Sequence, residues 1–328
     1  MTVYQEFPIS YGLVLSHDKS KLIRIAGSVF VYSVGCDYHL IGTIKSIKNP
    51  YDATFSFDNK YFAVSNTVGH IIIFNSDSLS MVQQLNIKNA QDCKVTFYER
   101  NLFVSTGSEI WLWESNSNQF SCLLKNNNGH YCFSKMVDNK IYCYDNGSTR
   151  NSALFSKLYE IGNNSLIRVD KLNNMKFDKT SFSNEFVLNY TLYTGIPSSS
   201  MPFLAANDDK IHTLDQFILY LESVDILCED ECICHRDRYY SNISLYSWKQ
   251  AAVIYARNMF IGIDMIEMSA DFHYIAVAAH DMIFVWDCIS IKICYSKPIN
   301  YVSSIRFIDG EDMLMIGTWT NGYIVPLN

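Results

Sequence analysis

A hairpin pattern returns about every forty residues along this chain. In each copy a short apolar run enters an acidic turn and a second apolar run leaves it. The copies are Val14-Leu15-Ser16-His17-Asp18, Phe55-Ser56-Phe57-Asp58-Asn59-Lys60, Phe133 to Lys140 with Asp138 in the turn, Ile266 to Asp271, and Ile305 to Gly310 with Asp309 in the turn. A sixth, Phe97-Tyr98-Glu99-Arg100-Asn101, carries Glu at the acidic position. The step is 40 residues from 18 to 58, 41 from 58 to 99, 39 from 99 to 138 and 38 from 271 to 309. One small sheet cannot bury its apolar faces alone, so a fixed period of this size marks a stacked or radial repeat.

Bulk properties narrow the class further. Hydrophobic residues make up 48% of the 328, and the 22 Tyr and 20 Phe suit pleated surfaces. With 6 Pro and 14 Gly the chain is not a linker or a low-complexity sequence. A formal charge of -7 weakens attraction to phosphate backbones, and the densest basic stretch, Lys45–Lys48, holds only two lysines. Nucleic-acid binding is therefore not expected. Met1–Glu6 shows neither the basic nor the apolar region of a signal peptide, and no window approaches ~18 apolar residues. The expectation is a cytoplasmic protein with no membrane span, whose ten cysteines stay reduced.

The units can be followed one by one. The first three run from about 10 to 44, 53 to 85 and 94 to 124, and a fourth from Gly129 to about Val169. Lys171–Glu185 reads as an insertion. A fifth unit is placed at Pro202–Asp215, with a turn at Asn207–Lys210, and a sixth from Val224 to Trp248. Ser247–Asn258 reads as strand, turn, strand. The seventh contains Ile275–Asp287, and an eighth has only three strands, ending at Gly322–Val325. No window of helical length shows a sustained apolar stripe, so no helix is expected.

Trp286-Asp287 and Trp113-Glu114 end third strands, and Asp281 lies in the turn before one of them. Together with Asn207-Asp208-Asp209-Lys210-Ile211 and Gly129-His130, they give a chain that resembles the WD40 repeat family over nearly its whole length. Each repeat is degenerate, so the buried Trp–Ser/Thr–His–Asp network of that family is expected to be incomplete. The resemblance implies an all-β fold: a single closed β-propeller domain over 1–328, with about eight four-stranded blades or, alternatively, seven. Thr2–Phe7 would supply the outer strand of the last blade and close the ring.

Chemistry is sparse. Cys228, Cys232, Cys234 and His235 form the densest set of metal-ligand types. Cys232 and Cys234 point to one side of a strand and His235 to the other, and zinc-finger spacing is absent. No metal or cofactor is expected. There is no Gly-x-Ser-x-Gly, P-loop, Gly-x-Gly-x-x-Gly or His-Glu-x-x-His motif, and the eight histidines are isolated. Trp111 shares a face with Trp113 and reads as core.

Family resemblance implies a non-enzymatic scaffold for protein partners, acting as a monomer or within a hetero-complex. The candidate contacts lie on the rim formed by links between blades and by second hairpins: Lys176, Phe177, Lys179, Asp208, Asp209, Arg236, Arg238 and Tyr240. A dedicated inhibitor or immunity-type binder of one protein is the alternative. An enzyme with a site at the propeller channel is a third reading, and it would need converging titratable groups.

Overall fold

Three of the acidic hairpins are closed by the same hydrogen bonds. Ser16 Oγ donates to Asp18 Oδ1 (2.7 Å), that carboxylate accepts the Ser20 N–H (3.0 Å), and the Lys21 N–H donates to Ser16 Oγ (2.9 Å). Ser56, Asp58, Lys60 and Tyr61 repeat the arrangement, as do Ser269, Asp271, His273 and Tyr274. The residue after each Asp is left-handed: Lys19, Asn59 and Phe272 have φ of 59°, 57° and 62°. These side chains satisfy the turn's backbone donors and fix where each pair of strands reverses.

The computed structural model describes residues 5–35, 37–90, 93–106, 108–125, 131–137, 140–145, 155–162, 165–173, 179–182, 186–194, 209–223, 239–247, 252–259, 263–279, 281–308 and 310–327. β1 (Gln5–Ser10) comes first. Four-stranded antiparallel sheets follow in chain order. The first is β2 (Gly12–Leu15), β3 (Lys21–Ile25), β4 (Val29–Ser33) and β5 (His39–Ile44). The second is β6 (Pro50–Phe55), β7 (Tyr61–Asn66), β8 (His70–Asn75) and β9 (Met81–Asn86). The third is β10 (Lys94–Tyr98), β11 (Asn101–Ser105), β12 (Glu109–Glu114) and β13 (Gln119–Lys125). The fourth is β14 (Tyr131–Val137), β15 (Lys140–Asp145), β16 (Phe155–Gly162) and β17 (Ser165–Asn173).

The fifth sheet holds β18 (Lys179–Phe182) and β19 (Phe186–Thr194), then, beyond helix α1 (Asp209–Ser223), β20 (Tyr239–Ser247) and β21 (Ala252–Met259). The sixth is β22 (Met265–Met268), β23 (Tyr274–Ala279), β24 (Met282–Asp287) and β25 (Lys292–Pro298). The last orders β1, β27 (Met313–Pro326) and β26 (Val302–Phe307). Among the described residues there are thus seven sheets, the smaller of the two counts read from the sequence. No helix among the described residues is long and apolar enough to cross a membrane.

By internal contacts the chain falls into two compact units. One comprises Tyr4–Lys176 with Met315–Ile324. Its second sheet is apolar on both faces because both are covered. Phe62, Val64, Ile72 and Phe74 join Val14, Ile23, Ile25, Val29 and Val31 of the first sheet. Ala63, Ile71 and Ile73 join Val95, Phe97, Leu102, Val104 and Trp113 of the third. Burying each large side chain of this kind contributes about 1.5–3 kcal/mol. This two-sided burial explains the near-continuous apolar runs of β7 and β8.

The N-terminal strand is also seated in this unit. β1 pairs antiparallel with β27, Gln5 opposite Ile324 and Phe7 opposite Gly322. The expected pairing forms over Gln5–Ser10, while Thr2–Tyr4 lie outside the described residues. Phe7 meets Tyr32 and Tyr38 edge-on, at 5.6 and 5.1 Å. Arg24, buried on β3, donates from Nη1 to the carbonyls of Ile9 (2.6 Å) and Pro8 (3.2 Å), and from Nε to Tyr32 Oη (3.1 Å). Its guanidinium lies 4.0 Å over the Phe30 ring.

The other unit comprises Met1–Val3, Phe177–Leu314 and Val325–Asn328, and it holds α1. Leu214, Phe217, Ile218 and Leu221 of α1 are buried in one core with Leu188, Ile243, Tyr255, Ile275, Phe284 and Trp286. Phe217 stacks on Trp286 at 5.3 Å. Asp215 accepts hydrogen bonds from Tyr255 Oη (2.9 Å) and Arg257 Nη1 (2.8 Å).

Three expectations are corrected here. Asp209 and Lys210 do not form a turn leading into a strand, since they open α1. The fifth unit is not a sheet of its own: the described part of Pro202–Asp215 lies in α1, the fifth sheet is β18–β21 with Tyr239–Ser247 of the sixth unit as β20, and the extra length lies between β19 and β20. Lys171–Glu185 is not an insertion, because Lys171–Asn173 ends β17 and Lys179–Phe182 is β18.

Candidate interaction surface

Each of the first three sheets turns its first and third hairpins to one end. The second hairpin and the links to neighbouring sheets lie at the other, here the link end. In the first three sheets the end opposite the links is tied together. The His17 N–H donates to Asn59 Oδ1 (2.8 Å), and the Phe57 N–H to the Glu99 carbonyl (3.0 Å). Arg100 pairs with Asp58 at 2.8 Å, and Lys21 bonds Ser76 and Asp77. Burial disfavours ionisation of Asp58, but bonds from Ser56 and Lys60 and the Arg100 charge outweigh it and hold its pKa below the ordinary value.

At the link end Asn66 and Asp52 are likewise bonded, but the exposed lysines of the first two links are not drawn into ion pairs among the described residues. Ile47-Lys48-Asn49 and Ile87-Lys88-Asn89 occur forty residues apart and form matching links. In each, the Ile is buried, the Lys is exposed, and the Asn is left-handed, with φ of 49° and 60°. The second link is pinned by a bond from the Ile87 N–H to the Gly69 carbonyl (2.8 Å). Gly69 has φ of 89°, and a Cβ there would overlap the Ile87 carbonyl oxygen and lie 2.9 Å from the Ala90 Cβ. The first link is pinned by Asn66, whose Nδ2 donates to the Lys48 carbonyl (3.1 Å) while its Oδ1 accepts the Val68 N–H (3.0 Å).

Lys48, Val68 and Lys88 are thus carried by rigid, mutually bonded turns. Val68 is 68% exposed. At the same end the Lys94 ammonium sits 4.3 Å over the Tyr51 ring. Lys45, Lys48 and Lys88 form no ion pair among the described residues. Asp52 beneath them is buried, and its Oδ2 accepts the Val95 N–H at 3.0 Å. Gln91 and Asp92 of the second link lie outside the described residues.

Elsewhere at this end Trp319, 64% exposed, meets Tyr11 at 5.3 Å. Glu109 is satisfied by Lys125 (2.7 Å) and by Trp111 Nε1 (2.8 Å). Burial opposes its ionisation, yet these two partners keep its pKa low. Trp111 is partly buried against the core, as expected.

The sequence-selected residues are distributed as follows. Lys179 is the first residue of β18, opposite Tyr190, and Tyr240 lies in β20, opposite Tyr193. Asp209 opens α1. Lys176, Phe177, Asp208, Arg236 and Arg238 lie outside the described residues, as do Cys228, Cys232, Cys234 and His235. Among the described residues no three His, Cys, Asp or Glu side chains converge as metal ligands. The Trp indoles depart from the family's network. Trp113 Nε1 donates to Asn118 Oδ1 (3.0 Å), and the buried Trp286 Nε1 has no partner among the described residues.

Sequence reasoning missed the Lys48 and Lys88 surface, although the repeated Ile-Lys-Asn triplet marked it.

This architecture is that of WD40 β-propeller domains. The C-terminal WD40 domain of Sif2 is similar with a TM-score of 0.62 at 11% identity, over 98% of this chain and 81% of that one. The β-propeller domain of Myceliophteria thermophila Cps50 (Swd1) gives 0.65 at 8% identity, over 99% and 100%. The WD40 repeats of RRP9 give 0.62 at 11%, over 98% and 95%. No model of a known protein family matches the chain, and no curated protein matches it. Identities this low define the fold alone.

Proposed function

We propose that the chain is a non-enzymatic interaction platform for a protein partner, built as one closed propeller and acting in the cytoplasm as a monomer or within a hetero-complex. The observation that carries this reading is the contrast between the two ends of the first three sheets. One end pairs Lys21 and Arg100 with carboxylates of the neighbouring sheet. The link end leaves lysines and apolar side chains on rigid turns, which is how binding groups are held on a scaffold.

Lys176, Phe177, Lys179, Asp208, Asp209, Arg236, Arg238 and Tyr240 remain part of the proposed contact set. Lys179 begins a first strand, Asp209 lies within the connection from β19 to β20, and Tyr240 follows it in β20. The test is capture of a partner by the tagged chain, followed by reconstitution from purified components. Charge reversal at Lys176 and Lys179 is expected to weaken that complex by more than ~1 kcal/mol and to change stability by less than ~0.5 kcal/mol. Failure to reconstitute any complex, together with a turnover activity in the purified chain, would replace this reading with an enzymatic one.

A further inference from the structure

We infer that the link end of the first three sheets recognises an acidic peptide segment carrying an apolar residue, lying along Lys48 and Lys88, with Tyr51 and Val68 at the same end. This rests on the platform reading and names its partner's chemistry. The forty-residue repeat supplies the geometry, since Lys48 and Lys88 occupy equivalent places in two successive links of the same construction. An extended segment crossing both links meets two ammonium groups in register. Lys45 adds charge at the end of the first link, and Lys94 adds charge over Tyr51.

Charge complementarity selects the occupant. The chain carries a formal charge of -7, yet on this surface the exposed charges of the described residues are lysines; Asp52 is buried and bonded to backbone, Glu109 is buried and paired with Lys125, and Asp92 lies outside the described residues. Charges beyond a Debye length of about 8 Å are largely screened, so an anionic segment here feels mainly the nearby lysines, and the apolar side chains at this end suit a peptide side chain better than a phosphate backbone. Val68, 68% exposed, and Tyr51, 36% exposed, offer apolar area for one side chain of the segment. Polar rims around such anchors set specificity and association rate.

The experiment uses the full chain and fluorescence anisotropy. The probe is a fluorescein-labelled dodecapeptide of Asp and Glu with one central Phe. Its controls are the Asn/Gln isostere and single-stranded oligo-dT. The acidic probe is expected to bind, and the isostere to bind at least about tenfold more weakly. The double variant K48E/K88E is expected to lose about tenfold or more in affinity, while Lys60→Glu at the opposite end changes it by less than about twofold. Melting curves of both variants matching the parent exclude unfolding as the cause.

Three results would overturn the inference: no binding of the acidic probe, equal binding by K48E/K88E, or oligo-dT binding as tightly with the same lysine dependence. The last would make this a nucleic-acid surface. If a reconstituted partner complex persists unchanged in K48E/K88E, the platform reading survives and this assignment of its surface fails.

Discussion

Replacing Arg24 by Met is expected to loosen the N-terminal strand more than any other single substitution in the first sheet. The side chain is buried and gives three hydrogen bonds, two of them to the Pro8 and Ile9 carbonyls at the end of β1. A hydrogen bond to a charged group contributes roughly 1.5–3 kcal/mol. Two such bonds give about 3–6 kcal/mol before offsets. The guanidinium is desolvated with backbone and aromatic partners rather than a carboxylate, and Pro8 and Ile9 are exposed enough for water to replace it. The net loss is then about 2–3 kcal/mol, or about 3–4 °C in melting temperature for a chain of this length. Methionine keeps most of the volume, so packing against Phe30 and Tyr32 is changed least. Calorimetry combined with amide exchange at Glu6 and Phe7 is the assay. A melting temperature within about 1 °C of the parent, with unchanged exchange at those amides, would refute the clamp. Deleting residues 1–8 is the harsher form, since it removes Phe7 and most of the β1–β27 pairing. It is expected to lower melting sharply or prevent soluble expression.

Further outcomes follow from other contacts. Phe217→Ala removes the ring stacked on Trp286 and should cost about 3–5 kcal/mol in urea unfolding; a loss below about 1 kcal/mol would mean that α1 is not part of the core. Gly69→Ala must relieve a backbone overlap in a left-handed conformation, so it should destabilise by more than about 2 kcal/mol, whereas Gly27→Ala, which meets nothing within 4 Å, should not. At Asp18, Asp58 and Asp271 burial raises the pKa, but the serine and backbone bonds overcome it and the net shift is downward from 3.8. Their stabilisation is complete above the unfolded value and disappears as pH falls through the lower folded values. Melting temperature should therefore decline below about pH 4, and less steeply in an Asp58→Asn variant.

The hairpin turns were legible because their closure is local. Ser16, Asp18 and Lys21 are near neighbours in sequence, and the same chemistry recurs at Ser56 and Ser269. The sheets followed from the period. Helix α1 was not legible, since Phe217-Ile218-Leu219-Tyr220-Leu221 is an unbroken apolar run that matches a buried strand as well as a helix. The forty-residue template then drew Asn207–Asp215 into a turn and strand. The surface was hidden for a different reason. Lys45–Lys48 holds only two lysines locally, and Lys88 and Lys94 join them through the packing of the second sheet against the third. Trp113 and Trp286 are legible as third-strand endings, but their indole N–H groups had to be seen in place to show that the family's hydrogen-bond network is not theirs.

Hydrogen–deuterium exchange on the purified chain, alone and with its reconstituted partner, tests the central claim most directly. Binding should slow exchange in residues 45–51, 66–70 and 86–90, and leave the turns at 16–21 and 56–61 unchanged. Protection confined to those turns or to the outer strands β5 and β9, with the link end unaffected, would contradict the account.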